Sequence, residues 1–319
     1  MNKLDIIKSF EQKKILLIGD TIVDVYSYSH AVCKALDAPT PEAEQNKVAV
    51  SFGGASLVAT NILELGGSLV YFSVIGDDEN AKYYDSFSHP KLDKHLLVDK
   101  NRKTTVKRKF WVDGYKLLQI NEVDNQDIEA ILEKKIIEII EPYISQVDLI
   151  VAFDAQHGLL TKGLIDQLIK LSKQHQKPLY VDSQVSHRPS NHHLYRGAHC
   201  MLLNQTEAQA VDPNFDINQP ESSLNSIKEK LGVANAVVKL GEKGSVALLN
   251  DKHIKTSPHQ VAMVDVCGAG DAFLAAFSLG DLEHITETLE ICNIWGALAT
   301  TIYGTDPPKK QDLINICHD

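Results

Sequence analysis

No run of apolar residues approaches the eighteen or so that a membrane-spanning helix needs, so nothing in this sequence reads as a membrane span. Basic residues are in deficit. Lys and Arg total 32 against 42 Asp and Glu, and a net charge of -10 withholds the general positive surface that nucleic acid or an anionic membrane would attract. Cysteine is sparse and unpaired in pattern: Cys33, Cys200, Cys267, Cys292 and Cys317 are odd in number with no CxxC spacing, which argues against a disulfide framework or a zinc site. The mixed, charged residues 1–14 carry no targeting pattern, and with reduced thiols this leads to the expectation of a cytoplasmic protein. Internal repeats and low-complexity segments are absent. So are a G-x-G-x-x-G after the first strand and a G-x-x-x-x-G-K-[ST] loop, which sets aside a dinucleotide-binding oxidoreductase and a P-loop enzyme.

What the sequence does contain is 319 residues with 44% apolar content, enough to bury a large α/β core. Lys14-Ile-Leu-Leu-Ile-Gly-Asp20 is a short apolar run closed by a turn signal, the pattern of a buried parallel strand. Leu57, Val58, Ile62 and Leu65 then fall at helical spacing, and 69–75 reads as the next strand. The alternation recurs through strands at 148–153, 178–182, 201–204 and 236–240, with a helix around 164–172 and helices at 268–279 and 285–302. Strands alternating with helices predict a mostly parallel, doubly wound sheet flanked by helices. Two stretches, about 25–52 and 104–121, break the rhythm, and Asp113-Gly114 between strand-like runs signals a hairpin. They are expected to form a small β-sheet lid over the carboxyl ends of the main strands, all within one domain spanning 1–319.

The segment most informative about chemistry is Val264-Asp265-Val266-Cys267-Gly268-Ala269-Gly270-Asp271, which puts Gly-Ala-Gly at the start of an apolar helix. Glycines let the backbone approach a ligand, and N–H groups at a helix start favour an anion such as a phosphoryl group. Asp271 would lie in the first turn beside it. A carboxylate there is also common capping chemistry, and local physics leaves both readings open. Cys267 precedes that helix start, where thiolates are stabilised, and is expected to be the most readily alkylated cysteine. Lys107 and Lys109 should share one face of their strand, with Arg108 on the other; they could hold a substrate phosphate or mark a solvated lid edge. The cluster from His187 to His193 lacks metal-ligand spacing and is not read as a zinc site. His157, beside Asp154 at a strand end, is read as either a substrate contact or loop structure.

Residues 265–271 resemble the D-x-x-G-A-G-D signature of the ribokinase-like, or PfkB, family of carbohydrate and nucleoside kinases, and family features recur in order from about Lys14 to Thr305. The resemblance implies an ATP-dependent phosphotransferase in which Asp271 deprotonates the acceptor hydroxyl and Gly268, Ala269 and Gly270 form an anion hole. It implies that Asp24, Gly53 and Gly54 bind the sugar, and that Asn204-Gln-Thr-Glu207 organises Mg²⁺ through water on Glu207. Lys239, Gly241 and Gly244 would lie near the nucleotide and Asn293 near adenine. A monovalent cation is a further candidate, and relatives suggest a homodimer through the lid. Within the family, Arg102-Lys-Thr-Thr-Val-Lys107 resembles the entry motif of heptose 7-phosphate kinases, which makes Lys107, Lys109, Asp154 and His157 substrate-binding candidates. The lysines those kinases carry near phosphate are absent here, where the chain reads Asp154-Ala-Gln-His157 and Asp182-Ser-Gln184. A kinase of an unphosphorylated sugar or nucleoside (ribose, fructose or adenosine type) and a non-catalytic sugar-binding regulator are the alternatives.

Overall fold

The structure is a computed structural model that describes residues 1–185 and 188–318 of the chain. After a short helix α1 (Lys3–Ser9), strand β1 (Lys14–Gly19) enters the centre of a sheet. Its Ile15, Leu16, Leu17 and Ile18 are all fully buried, because neighbours cover both faces: Ile15 and Leu17 point into one core, Leu16 and Ile18 into the other. The chain then leaves the sheet as β2 (Thr21–Lys34) and β3 (Pro41–Gly54), and returns through α2 (Ala55–Glu64) to β4 (Ser68–Gly76) and β5 (Leu92–Asp99). A second excursion makes β6 (Val106–Val112) and β7 (Tyr115–Glu122).

From there the alternation expected from sequence is regular: α3 (Ala130–Ile144), β8 (Leu149–Asp154), α4 (Lys162–Gln174), β9 (Leu179–Ser183), β10 (Cys200–Asn204), α5 (Gln205–Val211), α6 (Pro220–Leu231) and β11 (Asn235–Lys239). A hairpin, β12 (Ser245–Leu249) and β13 (Lys252–Thr256), closes the sheet, and α7 (Ala269–Leu279), α8 (Ile285–Ala299) and α9 (Lys310–His318) end the chain. The nine strands run in the order β13-β12-β11-β10-β9-β8-β1-β4-β5, parallel except for β12. One core packs the sheet against α1, α2, α7, α8 and α9, the other against α3 to α6. No helix of the described residues is long and apolar enough to cross a membrane.

The two excursions join in a separate sheet ordered β3-β2-β6-β7. Its hairpin turns at Asp113 (φ 47°) and Gly114 (φ 81°), the pair of positive angles that a two-residue turn requires. Because β6 lies inside this sheet, the solvated-edge account of Lys107 and Lys109 fails; the edges are β3 and β7. The lid has an inverted polarity. The face that includes Asp24, Tyr26, Lys107 and Lys109 turns toward the body, while Val48, Val50, Leu118 and Ile120, exposed by 42–53%, lie on the other.

Candidate active site

The loop before α7 ends at Gly268, which takes φ 84° and where a Cβ would sit 2.8 Å from Leu57. With glycine as N-cap, no side chain satisfies the first amides of α7; Ala269 N meets the Val266 carbonyl at 3.4 Å, while the amides of Gly268 and Gly270 have no partner among the described residues and stay open to a ligand. Gly270 lies over the side chain of Lys239, whose Nζ is 3.4 Å from where a Cβ would be. Asp271 follows in the first turn. No described residue donates a hydrogen bond to its carboxylate, so the capping role has no support. Burial, then repulsion from Asp182, pushes it up to about 7 despite Lys239 and Lys107.

This helix start forms one wall of a cavity of about 740 Å³ that also takes in Asn204, Glu207, Lys239, Gly241, Gly244 and Asn293. All the sequence-predicted nucleotide residues thus line one space, but several are less free than expected. Asn204 and Glu207 form a capping box for α5: Asn204 Oδ1 accepts from Glu207 N at 2.9 Å, and Glu207 Oε2 and Oε1 accept from Asn204 N and Nδ2, both at 2.6 Å. Burial and the Asp182 charge push Glu207 up to about 7. Asn293 donates through Nδ2 to Thr256 Oγ1 at 2.8 Å and to the Ser257 carbonyl at 3.1 Å, so it braces the wall instead of offering its NH₂ to a ligand. A Cβ on Gly244 would meet Thr256 O at 2.1 Å, which is why this turn needs glycine.

On the lid side Asp24 is 4% exposed, with Oδ1 at 2.9 Å from Lys109 Nζ. Gly53 has to be glycine because a Cβ there would stand 2.6 Å from Asp24 Oδ2, whereas Gly54 (φ 59°) turns the chain into α2. Lys109 also donates to Tyr26 Oη at 3.0 Å, and though burial opposes its charge, Asp24 more than offsets that and holds its pKa above the usual value. Lys109 therefore anchors Asp24 and has no free charge for a substrate, contrary to the sequence expectation. Lys107 shares its face, as the strand period requires, but has no ion-pair partner among the described residues, and its charge acts on both Asp271 and His157. Arg108, on the opposite face, pairs with Glu122 at 2.7 Å.

Asp154 departs from its assignment as a substrate ligand. Its Oδ2 accepts from Asn191 Nδ2 at 2.6 Å and Tyr195 Oη at 2.7 Å, and its Oδ1 from Gln156 N at 2.8 Å, so it holds the following loop together. His157 presents a different picture. Its Nδ1 meets Asn125 Oδ1 at 2.7 Å while Nε2 is buried with no partner. Burial first, then Lys107, lower its pKa to about 4, so the ring is neutral and, with Nδ1–H donating, Nε2 carries an acceptor lone pair.

The sequence reading missed Asp20. Its carboxylate accepts from the amides of Ala155 (3.0 Å), His157 (3.0 Å) and Leu159 (3.2 Å), fastening the loop after β8 to the end of β1. A buried strand ending in Gly-Asp was the available signal. Cys267 also behaves otherwise than expected: burial pushes its thiol up, and Asp24, Asp265 and Asp271 outnumber Lys109 as charged neighbours. Of the histidine cluster, His192 is buried and bonded to the Ser183 carbonyl at 2.7 Å, and His187 lies outside the described residues.

Comparison with known proteins shows the family and the fold. The model of the pfkB family carbohydrate kinases matches residues 12–312. The chain is 31% identical over 302 residues to the bifunctional protein HldE of Campylobacter jejuni subsp. doylei, an alignment covering 93% of this chain and 63% of that protein. It is 27% identical over 296 residues to HldE of Helicobacter pylori, with 92% and 63% covered. The chain thus spans about 63% of the length of these curated relatives. Among solved structures, Arabidopsis thaliana ribokinase complexed with ribose and ATP superposes with a TM-score of 0.73 at 18% identity, covering 96% of this chain and 99% of that one. Escherichia coli phosphofructokinase-2 in complex with potassium gives 0.75 at 18%, covering 96% and 98%. At that identity the likeness is one of fold.

Proposed function

Because this chain belongs to the pfkB family of carbohydrate kinases, phosphotransferases that act on a sugar hydroxyl, we propose that it phosphorylates a sugar phosphate of the heptose 7-phosphate type from ATP. ATP would occupy the cavity of about 740 Å³, with its terminal phosphoryl group over the Gly268-Ala269-Gly270 turn, where the amides of Gly268 and Gly270 are open. The acceptor hydroxyl would lie between Asp24 and Asp271. Asp271 takes the hydroxyl proton as the acceptor oxygen bonds to phosphorus, the bond from phosphorus to the bridging oxygen breaks, and ADP leaves with that electron pair. Glu207, with Asp182 nearby, would hold Mg²⁺ through water. The donor set fits an ion shared with phosphates and not a closed cage, since no group of three or more His, Cys, Asp or Glu among the described residues could hold a metal directly. Bound there, Mg²⁺ would offset charge on the phosphoryl group.

The observation that carries the phosphorylated substrate is Lys107, an unpaired cation whose field reaches both His157 and Asp271 in a chain of net charge -10. The Arg102 to Lys107 motif supports the same choice. A second reading has its own support: the neutral Nε2 of His157 suits a hydroxyl, which favours an unphosphorylated sugar. ADP release with paired sugars and sugar phosphates tests this, and Lys107→Ala should raise KM about 10-fold or more for the phosphorylated member only. Equal losses with both members would discard the phosphate anchor. The apolar outer face of the lid supports a homodimer formed lid to lid.

A further inference from the structure

Asp182 at the end of β9, Glu207 in the first turn of α5, and Asp271 in the first turn of α7 all act on the charge of Lys239 at the end of β11. Lys239 Nζ is 2.5 Å from Asp182 Oδ2 and 3.4 Å from the point that a Cβ on Gly270 would occupy. Among the described residues that line this cavity it is the only Lys or Arg, set against Asp182, Glu207, Glu242 and Asp271. Gln184, two residues beyond Asp182, also lines the cavity and adds no charge to it.

Two features distinguish this ammonium group from an ordinary structural ion pair. It lies against the start of α7, where the helix dipole repels a cation, so the position becomes favourable when an anion sits between the amides and the lysine. It is also charged despite its depth: burial opposes the charge, but Asp182 and Glu207 outweigh that and keep the pKa above the usual lysine value. A triphosphate brought to Gly270 without a nearby cation would face four carboxylates. Lys239 is within reach of that position from where it already stands.

We propose that Lys239 exchanges its Asp182 partner for the terminal phosphoryl group of ATP and is the side chain that grips that group. The inference rests on reading this cavity as the nucleotide site. The ammonium group keeps its protons throughout and makes no covalent bond. Its charge-assisted hydrogen bond exists with ATP and is lost with ADP, so it contributes to nucleotide discrimination.

Calorimetric titration of Mg-ATP and Mg-ADP into four proteins tests this. The wild type should prefer ATP about 10- to 100-fold, the range that a hydrogen bond to a charged group supplies. Lys239→Met should bring the ratio close to one. Since that substitution leaves Asp182 buried and unpaired, the double variant Asp182→Asn/Lys239→Met serves as a folded alternative and should show the same loss. Asp182→Asn alone, which frees the lysine, should keep the preference. The same ratio in all four proteins, or no preference in the wild type, overturns the role of Lys239 while leaving the nucleotide site in place. A wild type that binds neither nucleotide overturns both.

Discussion

At Asp271 the burial that makes a carboxylate basic also makes it a liability to the fold. With its pKa near 7 in the native state and in the ordinary carboxylate range when unfolded, the native protein holds a proton that the unfolded chain has released between about pH 4 and 7. Stability from this group therefore falls as pH rises through that window and stays low above it. Asp271→Asn should lower kcat by about 10² or more with little change in ATP affinity, yet raise Tm at about pH 8 more than at about pH 4.5. In the wild type, kcat/KM should fall away below about pH 7; an acid limb centred near 4 would contradict the role of burial. The residue types of this site were legible in the sequence, because Asp271 and Asp24 fall in motifs of fixed spacing. Their partners were not. That Lys109 would be consumed by Asp24, or Asp154 by Tyr195 and Asn191, depends on approaches between distant segments that no local pattern encodes.

The elements that the sequence announced are those buried on both sides. β1 and β8 show continuous apolar runs because helices cover both faces, and the lid hairpin was marked by Asp113-Gly114. β5, β12 and β13 escaped notice: β5 and β13 are edge strands with charged, partly exposed residues, as edges generally are, while β12 is buried but only five residues long, too short to stand out as a pattern. The two kinds of turn differ in what they demand. Gly114 has positive φ but nothing within 4 Å of a Cβ, so Gly114→Ala should cost only about 1–2 kcal/mol of backbone preference. Gly244→Ala adds a collision with the Thr256 carbonyl, and should cost more in thermal unfolding and weaken nucleotide binding, which Gly114→Ala should spare. Comparable effects of the two on Tm and on ATP binding would mean that the wall beside Thr256 yields easily.

The parallel sheet was readable from alternation because it is repetitive; the docking of the lid on it was not, because it depends on single side chains such as Asp20 and on the buried contact of Ser51 Oγ with Thr305 Oγ1 at 2.6 Å. We take the chain as one folding unit, since β2 and β3 run directly out of β1 and into α2. The two tryptophans test this: Trp295 is fully buried in the body and Trp111 belongs to the lid. Fluorescence from single-tryptophan variants should give coincident thermal transitions, matching far-UV circular dichroism. An earlier transition for Trp111 would make the lid an independent unit. The inverted polarity of the lid has a last consequence, one of mass action. If Asp24 and Lys107 are held over the cleft by a sheet whose apolar face needs a second copy to cover it, the sugar site is shared property of a pair, and its occupancy depends on how much protein is present. On dilution toward nanomolar concentration the KM for sugar should climb while that for ATP, proposed to bind in the body cavity, holds steady; a sugar KM indifferent to enzyme concentration would show that each lid stands alone.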